Sequence, residues 1–226
     1  MEQQPSALFA MACTDINAFN ESVRTGQPLE LRNLVSGWRA CREWRGQQGI
    51  DNMRALCKDV DECQVMCSCS DIFLGDLAQH QPASMRLHEF LGEARRALQG
   101  QAGPHLYLAQ HPLGADGLAT ALGPPPLLPA ASLSSTNLWM CVRGSRSNIH
   151  HDPHHNLLCV VVGSKRVTLY PPALTPCLYP APLAGDASNH SCVDFAAPDL
   201  VRHPLFRLVM RCSSLRAGGI RWTAAG

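Results

Sequence analysis

The stretch Ser147-Asn148-Ile149-His150-His151-Asp152-Pro153-His154-His155-Asn156 places four histidines around a single aspartate. Side chains two residues apart on a β-strand face the same side, so His150 and Asp152 are expected to point together and His151 away. An imidazole and a carboxylate are two of the three ligands of the facial non-haem iron site, which leaves positions open for co-substrate and oxygen. Pro153 cannot donate a backbone hydrogen bond, which is typical of a strand end. The stretch therefore predicts a strand that ends at a metal site.

Two other interpretations of the histidines remain open from the residues alone. Short motifs such as His-x-Asp often occur by chance, and four histidines in six residues could form an adventitious metal-binding tract. A separate stretch, Cys63-Gln64-Val65-Met66-Cys67-Ser68-Cys69, places three thiols close enough for a soft metal ion. It contains no Cys-x-x-Cys pair, and strand alternation puts the thiols on one face. We therefore favour their packing as small apolar side chains over a zinc site.

The bulk composition indicates one globular domain with a small N-terminal extension. Of the 226 residues, 46% are hydrophobic and 16% are charged, which suits a folded core rather than a disordered chain. The net charge of +1 gives no general attraction to nucleic acid or to an anionic membrane. No apolar run is long enough for a transmembrane helix, and residues 1–13 lack the pattern of a secretory signal. The 11 cysteines are accordingly interpreted as reduced thiols in the cytoplasm or nucleus.

Periodicity predicts helices and a few strands in the first half of the chain. Asp15 is expected to cap a helix that runs to Val23, and Asp51 a second helix that runs to Cys57. Apolar residues at helical spacing predict a longer helix over 85–98. Strands are expected at 28–32 and 105–110.

The second half of the chain has a β character, after a proline-rich loop at 123–129. Strands are predicted at 137–142, 148–152, 157–162 and 166–170, with Gly163-Ser164 as the turn between the last two. Short strands at such close spacing favour a sandwich or barrel. The predicted architecture is an antiparallel barrel preceded by helices.

Several blocks of sequence occur in the order and at the spacing of a known family. They are Met85-Arg86-Leu87-His88-Glu89-Phe90, Leu106-Tyr107-Leu108-Ala109-Gln110, Gly163-Ser164-Lys165-Arg166 running into Leu169-Tyr170-Pro171-Pro172, Cys177-Leu178-Tyr179-Pro180 and Val193-Asp194-Phe195-Ala196-Ala197-Pro198-Asp199. With these blocks, residues 19–206 resemble the cupin-like jumonji-C hydroxylases and are similar in particular to the asparaginyl-hydroxylase members. The resemblance implies a mainly β double-stranded β-helix, or jelly roll, with N-terminal helices. It also divides the chain into an N-terminal part (1–104), a jumonji-C core (105–206) and a divergent tail (207–226).

The resemblance further implies an Fe(II)- and 2-oxoglutarate-dependent oxygenase that hydroxylates a side chain of a protein substrate. His150 and Asp152 match the first two metal ligands of the family. Lys165 matches a lysine that pairs with the distal carboxylate of 2-oxoglutarate, a role in which a buried ammonium gains a partner. The positions expected to contact the same co-substrate are Ser147, Asn156 and Tyr107. Without the resemblance, Lys165 would be interpreted as an exposed turn residue and Tyr107 as a core aromatic.

The tail departs from the family pattern, which completes the metal site with a second histidine after a Gly-Asp turn. Here Ala217-Gly218-Gly219 resembles that turn, with Gly219 in the place of the aspartate. We expect either a truncated sequence or an isoform without the last strands. His190 and His203 are weak substitutes, the first because it lies in a loop-like segment. A catalytically silent cupin that acts as a binding or regulatory module therefore stays open beside the oxygenase.

Overall fold

The computed structural model describes residues 9–11, 15–58, 62–73, 81–114, 117–125, 127–184, 187–215 and 220–223. Its helices are α1 (Ile16–Thr25), α2 (Arg39–Glu43), α3 (Gly46–Leu56), α4 (Leu87–Leu98) and α5 (Phe206–Leu215). Its strands are β1 (Phe9–Met11), β2 (Leu29–Leu31), β3 (Glu62–Ser68), β4 (Ile72–Phe73), β5 (Gln81–Arg86), β6 (His105–Pro112), β7 (Asn137–Cys141), β8 (Arg146–Ser147), β9 (Ser164–Val167) and β10 (Ile220–Thr223). Short 3₁₀ turns at Gly117–Ala121, Ala130–Ser132 and Pro172–Leu178 join several of them.

An antiparallel four-stranded sheet in the order β5-β3-β6-β7 organises the fold. Its register pairs Val65 of β3 with Leu108 of β6, and Tyr107 of β6 with Cys141 of β7. The predicted boundary at 104/105 falls between α4 and β6, so both sides of it contribute strands to this one sheet. The division at that point stays a prediction.

One face of the sheet is covered by α3 and α4 and forms the main core. Strand alternation sends Leu106 and Leu108 of β6 to this face, and both are buried. The helices contribute Phe90 and Leu91 of α4, which are fully buried in the same cluster. The opposite face of β6 carries Tyr107, one of the positions predicted to contact the co-substrate.

A second group of paired segments lies in the C-terminal half of the chain. Residues 149–151 run antiparallel to 189–191 through the bridge His150↔His190. Residues 189–192 pair in turn with 179–181 through the bridge Pro180↔Ser191. A small cluster that includes Val193, Phe206 and Val209 is buried beneath these segments.

Three further strand pairs complete the description. β1 and β2 pair in parallel, as do β4 and β8, whereas β9 and β10 are antiparallel. The tail predicted to diverge thus contributes the second half of the β9–β10 pair and most of α5. The Ala217-Gly218-Gly219 turn proposed from sequence lies outside the described residues. No helix within the described ranges is long and apolar enough to cross a membrane.

Several predicted elements are confirmed. α1 begins after Asp15, whose carboxylate accepts hydrogen bonds from the backbone N–H groups of Asn17 and Ala18. The predicted helix at 85–98 is α4, and the predicted strands at 28–32, 105–110 and 137–142 are β2, β6 and β7. The cupin-like architecture, a mainly β fold with several helices, is confirmed as well.

The predicted cap at Asp51 is wrong. α3 already begins at Gly46, which leaves Asp51 inside the helix. Its carboxylate instead receives Arg95 of α4 at 2.7 Å, so a tertiary ion pair uses the side chain that the sequence assigned to a cap.

The strands predicted at 148–152, 157–162 and 166–170 differ from those observed. Residues 157–162 lie in no strand, and the last prediction is replaced by β9. Residues 148–152 make only an isolated bridge, because their hydrogen bonds are divided between two neighbours. Asn148 donates to Phe73, while the backbone N–H of His151 donates to Asn189. A short apolar run forms a strand only where a partner segment lies alongside it.

Candidate functional site

The site begins with an aromatic group on the open face of the four-stranded sheet. Tyr107 and Cys141 stand directly opposite each other on β6 and β7, and Trp139 shares the face of Cys141 because it lies two residues before it. The ring of Tyr107 lies 5.3 Å from that of Phe73 and 5.8 Å from that of Trp139, measured between centroids. These neighbours hold the phenol against the sheet.

Tyr107 is also the residue that links the predicted co-substrate positions to one another. Burial raises the pKa of Tyr107 to about 12, with a further contribution from Cys141. Hydrogen bonding with Ser147 opposes the rise in this pKa, and the nearby Asp152 carboxylate adds to it. Three residues that the sequence assigned to one site, Tyr107, Ser147 and Asp152, therefore lie close enough to influence a single hydroxyl.

Ser147 is positioned by a short strand and an ion pair. β8 lies in parallel beside β4, which places Ser147 next to Phe73. The guanidinium of Arg146 donates to both carboxylate oxygens of Asp71, at 3.1 and 3.3 Å. The backbone N–H of Arg146 donates to the carbonyl of Asp71. Hydrogen bonding to Arg146 lowers the pKa of the Asp71 carboxyl, so this connection persists at neutral pH. The contact between Arg146 and Asp71 therefore attaches the Ser147 segment to the start of β4.

Lys165 lies on β9, outside the four-stranded sheet. The side chain is exposed, and its charge acts on Cys141. Burial raises the pKa of the Cys141 thiol, whereas a hydrogen bond with Ser145 and the ammonium of Lys165 oppose that rise. The interaction that connects Lys165 with this group is the effect of its charge on Cys141.

His150 and Asp152 form the other side of the site. The Nδ1 atom of His150 lies 2.7 Å from the carbonyl oxygen of Asn148, which fixes the ring. The side-chain amide of Asn156 donates to Oδ2 of Asp152 at 2.6 Å. Asn156, predicted to lie near the co-substrate, here orients the carboxylate.

His190 is the neighbour of His150 that sequence reasoning gave little weight. Its ring stacks on that of His150, with centroids 5.1 Å apart and planes inclined by 21°. Burial lowers the pKa of His190, as do His150 and His151, whereas Asp152 raises it. His190 therefore lies beside both residues of the His-x-Asp triplet.

An imidazole from His150 and a carboxylate from Asp152 are donor types that suit a ferrous ion, although they are not arranged around a common metal position. With Nδ1–H of His150 donating to a carbonyl, the lone pair of its Nε2 is free, as in most metal-binding histidines. Asp152 adds a carboxylate oxygen, the other ligand type of the facial iron site. Among the residues that the structure describes, no group of three His, Cys, Asp or Glu side chains is already arranged to hold a metal ion.

Among the predicted site residues, Tyr107 lies near Ser147 and Asp152, and Asn156 contacts Asp152. Their roles stay predictions, and the additional neighbours are Phe73, Trp139, Cys141 and His190. A local signal existed for Cys141 and Trp139, since they alternate on the strand paired with β6. Phe73 and His190 have no local signal, because long-range pairing alone brings them to the site.

A mainly β fold with helices on one face of its four-stranded sheet fits the class of a cupin-type domain. The comparison with family models agrees, since residues 16–218 match the Cupin-like domain. The chain belongs to the Cupin-like domain family.

Curated relatives carry demethylase or jumonji-C names. The chain is 32% identical over 210 residues to "Lysine-specific demethylase JMJ31" of Arabidopsis thaliana, covering 80% of this chain and 38% of that protein. It is 29% identical over 188 residues to "Jumonji C domain-containing protein 5" of Drosophila melanogaster, covering 80% of this chain and 45% of the relative. A match to "Lysine-specific demethylase 8" of Xenopus tropicalis is 26% identical and covers 89% of this chain and 44% of the relative. The chain thus spans less than half the length of these relatives.

Proposed function

We propose that this chain is an Fe(II)- and 2-oxoglutarate-dependent oxygenase domain of the jumonji-C type that acts on a protein side chain in the cytoplasm or nucleus. The observation that carries the proposal is the grouping around Tyr107 and Cys141. Ser147 and Asp152 act on the Tyr107 hydroxyl, and Lys165 acts on the adjacent Cys141. In the proposed binding mode, a keto acid would lie between the ammonium of Lys165 and the carboxylate of Asp152, next to Tyr107.

The residues suggest a division of work. The ammonium of Lys165 would pair with the distal carboxylate of 2-oxoglutarate, because a charged donor gives the strongest hydrogen bonds to a carboxylate. The hydroxyls of Tyr107 and Ser147 would donate to the same end of the co-substrate. His150 and Asp152 would hold the iron, with Asn156 fixing the carboxylate. When bound, iron together with 2-oxoglutarate and oxygen supplies the oxidation of an unactivated C–H bond.

The substrate class is proposed as a protein side chain. Two of the relatives described above are named lysine-specific demethylases, which brings N-methyl-lysine into consideration. The sequence blocks that resemble asparaginyl hydroxylases make an asparagine side chain a second candidate substrate. Both reactions insert oxygen into a C–H bond. A side chain hydroxylated on one of its own carbons keeps the oxygen. An N-methyl group hydroxylated on its methyl carbon becomes a hemiaminal and releases formaldehyde.

The second candidate is a cupin that binds a small carboxylate without turnover. It is favoured by one observation: the described part of the chain contains no ready-made group of three metal-binding side chains. In that case Lys165 and Tyr107 would bind the ligand, and His150 and Asp152 would be dispensable for binding.

The test is succinate formation by the purified chain with Fe(II), ascorbate, oxygen and 2-oxoglutarate, with protein extracts or methylated histone peptides as substrates. We expect succinate above background, abolished by Asp152→Ala and unaffected by His155→Ala. Mass spectrometry of the peptides distinguishes a gain of one oxygen from loss of a methyl group. Absence of succinate, together with 2-oxoglutarate binding that is indifferent to Asp152→Ala, would establish the silent cupin instead.

A further inference from the structure

Asn148 is a polar residue that the fold buries next to the His-x-Asp triplet. Its exposed fraction is only 8%, and it lies between Ser147, which ends β8, and the segment that carries His150. A side-chain amide is stable in the interior only where hydrogen bonds within the protein replace those to water. The partners of Asn148 therefore indicate what its burial achieves.

Asn148 joins two segments that are distant from each other in the sequence. Its backbone N–H donates to the carbonyl of Phe73, the last residue of β4, at 3.1 Å. Its side-chain Nδ2 donates to the carbonyl of Ser191 at 3.0 Å, and both of these residues are buried. Within the described part of the chain, Oδ1 of Asn148 has no hydrogen-bond partner. The side chain therefore acts through its N–H donor, and removal of that donor breaks the link to Ser191.

Ser191 is itself anchored to the small core, so Asn148 binds a fixed partner. The hydroxyl of Ser191 donates to the carbonyl of Leu178 at 2.5 Å and accepts from the backbone N–H of Val193 at 3.0 Å. Val193 is fully buried. The backbone N–H of Ser191 donates to the carbonyl of Ile149 at 2.8 Å, which adds a second link to the segment of Asn148. Together these bonds leave Asn148 little freedom to move.

The carbonyl of Asn148 accepts the hydrogen bond that orients His150. Nδ1 of His150 lies 2.7 Å from that oxygen, and because a carbonyl can only accept, the proton is on Nδ1 and the lone pair on Nε2. We infer that Asn148 is a positioning residue, whose bonds to Phe73 and Ser191 fix the carbonyl that holds the His150 ring with Nε2 available to a metal ion. The inference rests on the proposed function, in which His150 binds that ion. Asn148 itself touches no ligand.

The experiment determines which nitrogen of His150 carries the proton, by long-range proton–nitrogen NMR of the 226-residue chain at about pH 8, where imidazole is neutral. The signal is assigned by its loss in His150→Gln. We expect the proton on Nδ1 in the wild type, and a shift toward Nε2, the form that an unconstrained imidazole favours, in Asn148→Ala. The matched control is Asn52→Ala, which removes a similar bond, from a side-chain amide of α3 to the carbonyl of Glu43 at 2.7 Å. This control should keep the wild-type form.

The second readout is the affinity of the same variants for Co(II), used in place of Fe(II), by anaerobic calorimetry. We expect Asn148→Ala to weaken Co(II) binding about 10-fold, the lower end of the usual effect of removing the support of a ligand, and Asn52→Ala to leave it unchanged. A proton shift without a change in Co(II) affinity would keep the positioning role and remove His150 from the proposed metal site. A proton shift in a chain that binds no Co(II) would reject the proposed function alone.

A second variant covers the case in which circular dichroism shows that Asn148→Ala is not folded. Asn148→Asp keeps the size of the side chain and removes only the Nδ2 donor, so it should shift the proton in the same direction. A wild-type proton position in either folded variant would overturn the inference, whatever the Co(II) affinity. If neither variant folds, the wild-type spectrum decides, since a proton on Nε2 of His150 would overturn the inference and one on Nδ1 would support it.

Discussion

His150 and His190 face each other across a narrow antiparallel pair, with ring centroids 5.1 Å apart. The two residues are far apart in the sequence, and the bridge between their segments is what makes them neighbours. Asp152 lies on the same segment as His150, and Tyr107 lies near its carboxylate. Asp152, a candidate metal donor, thus lies near Tyr107, a candidate keto-acid contact.

The hydrogen bond from Asn156 to Asp152 should matter for metal affinity. The amide donates to Oδ2 at 2.6 Å and leaves the other carboxylate oxygen for an ion. Asn156→Ala is expected to weaken Fe(II) or Mn(II) binding about 10-fold to 100-fold, the usual effect of removing a partner of a ligand. Anaerobic calorimetry measures this, with Asn137→Ala as a control because that amide donates to a surface serine. Equal affinity in both variants would show that Asn156 does not support the ligand.

The hydroxyls of Tyr107 and Ser147 should act on the co-substrate together. Tyr107→Phe removes one neutral donor, and we expect 2-oxoglutarate affinity to fall about 2-fold to 10-fold with metal affinity unchanged. A double-mutant cycle with Ser147→Ala should show coupling of about 0.5 kcal/mol or more, because the two groups influence each other. Strict additivity would mean that they do not share a ligand.

Lys165 is expected to contribute most of the electrostatic attraction for the keto acid. Lys165→Ala should weaken 2-oxoglutarate binding about 10-fold to 100-fold, the range for a hydrogen bond to a charged group. Metal binding should not change. Lys165→Arg keeps the charge with a different geometry and should recover part of the affinity. Unchanged keto-acid affinity in Lys165→Ala, measured by calorimetry, would remove Lys165 from the site.

The cysteines should differ in their reactivity with an alkylating reagent. Cys69 and Cys192 are exposed, whereas burial raises the pKa of Cys63 and Cys159 to about 11 in each case. A raised pKa reduces the reactive thiolate, to about one molecule in a thousand at pH 8 for such a thiol. We expect iodoacetamide to modify Cys69 and Cys192 first in native protein and all four in urea, as followed by peptide mass spectrometry. Early modification of Cys63 would contradict the burial of β3 against the helices.

Local signals predicted the elements whose causes are local. The Asp15 cap of α1 and the helical spacing of Leu87, Phe90 and Leu91 in α4 depend on neighbours in the sequence, and both elements were predicted correctly. Asp51 carries the same kind of cap signal, yet the residue lies inside α3 and pairs with Arg95 of another helix. A capping residue and an ion-pair partner look alike until the tertiary contact is known.

The site residues also divide into those that local sequence signals predicted and those that only long-range pairing brings to the site. His150 and Asp152 follow from a triplet on one segment, and Lys165, Ser147, Asn156 and Tyr107 follow from family blocks that occur in order along the chain. His190 could not be given weight, because its environment depends on a bridge to a segment 40 residues away in the numbering. Phe73 reaches Tyr107 through the pairing of β4 with β8, which is equally invisible to local periodicity.

Joint binding of a metal ion and 2-oxoglutarate at the candidate site can be measured by anaerobic calorimetry of 2-oxoglutarate. The titration is run on the chain alone, on the chain loaded with Fe(II), and on the Asp152→Ala variant with the same Fe(II). We expect saturable binding at one site per chain that is strengthened by Fe(II) in the wild type and is indifferent to Fe(II) in Asp152→Ala. Absence of 2-oxoglutarate binding, or binding of equal strength in all three samples, would contradict this expectation.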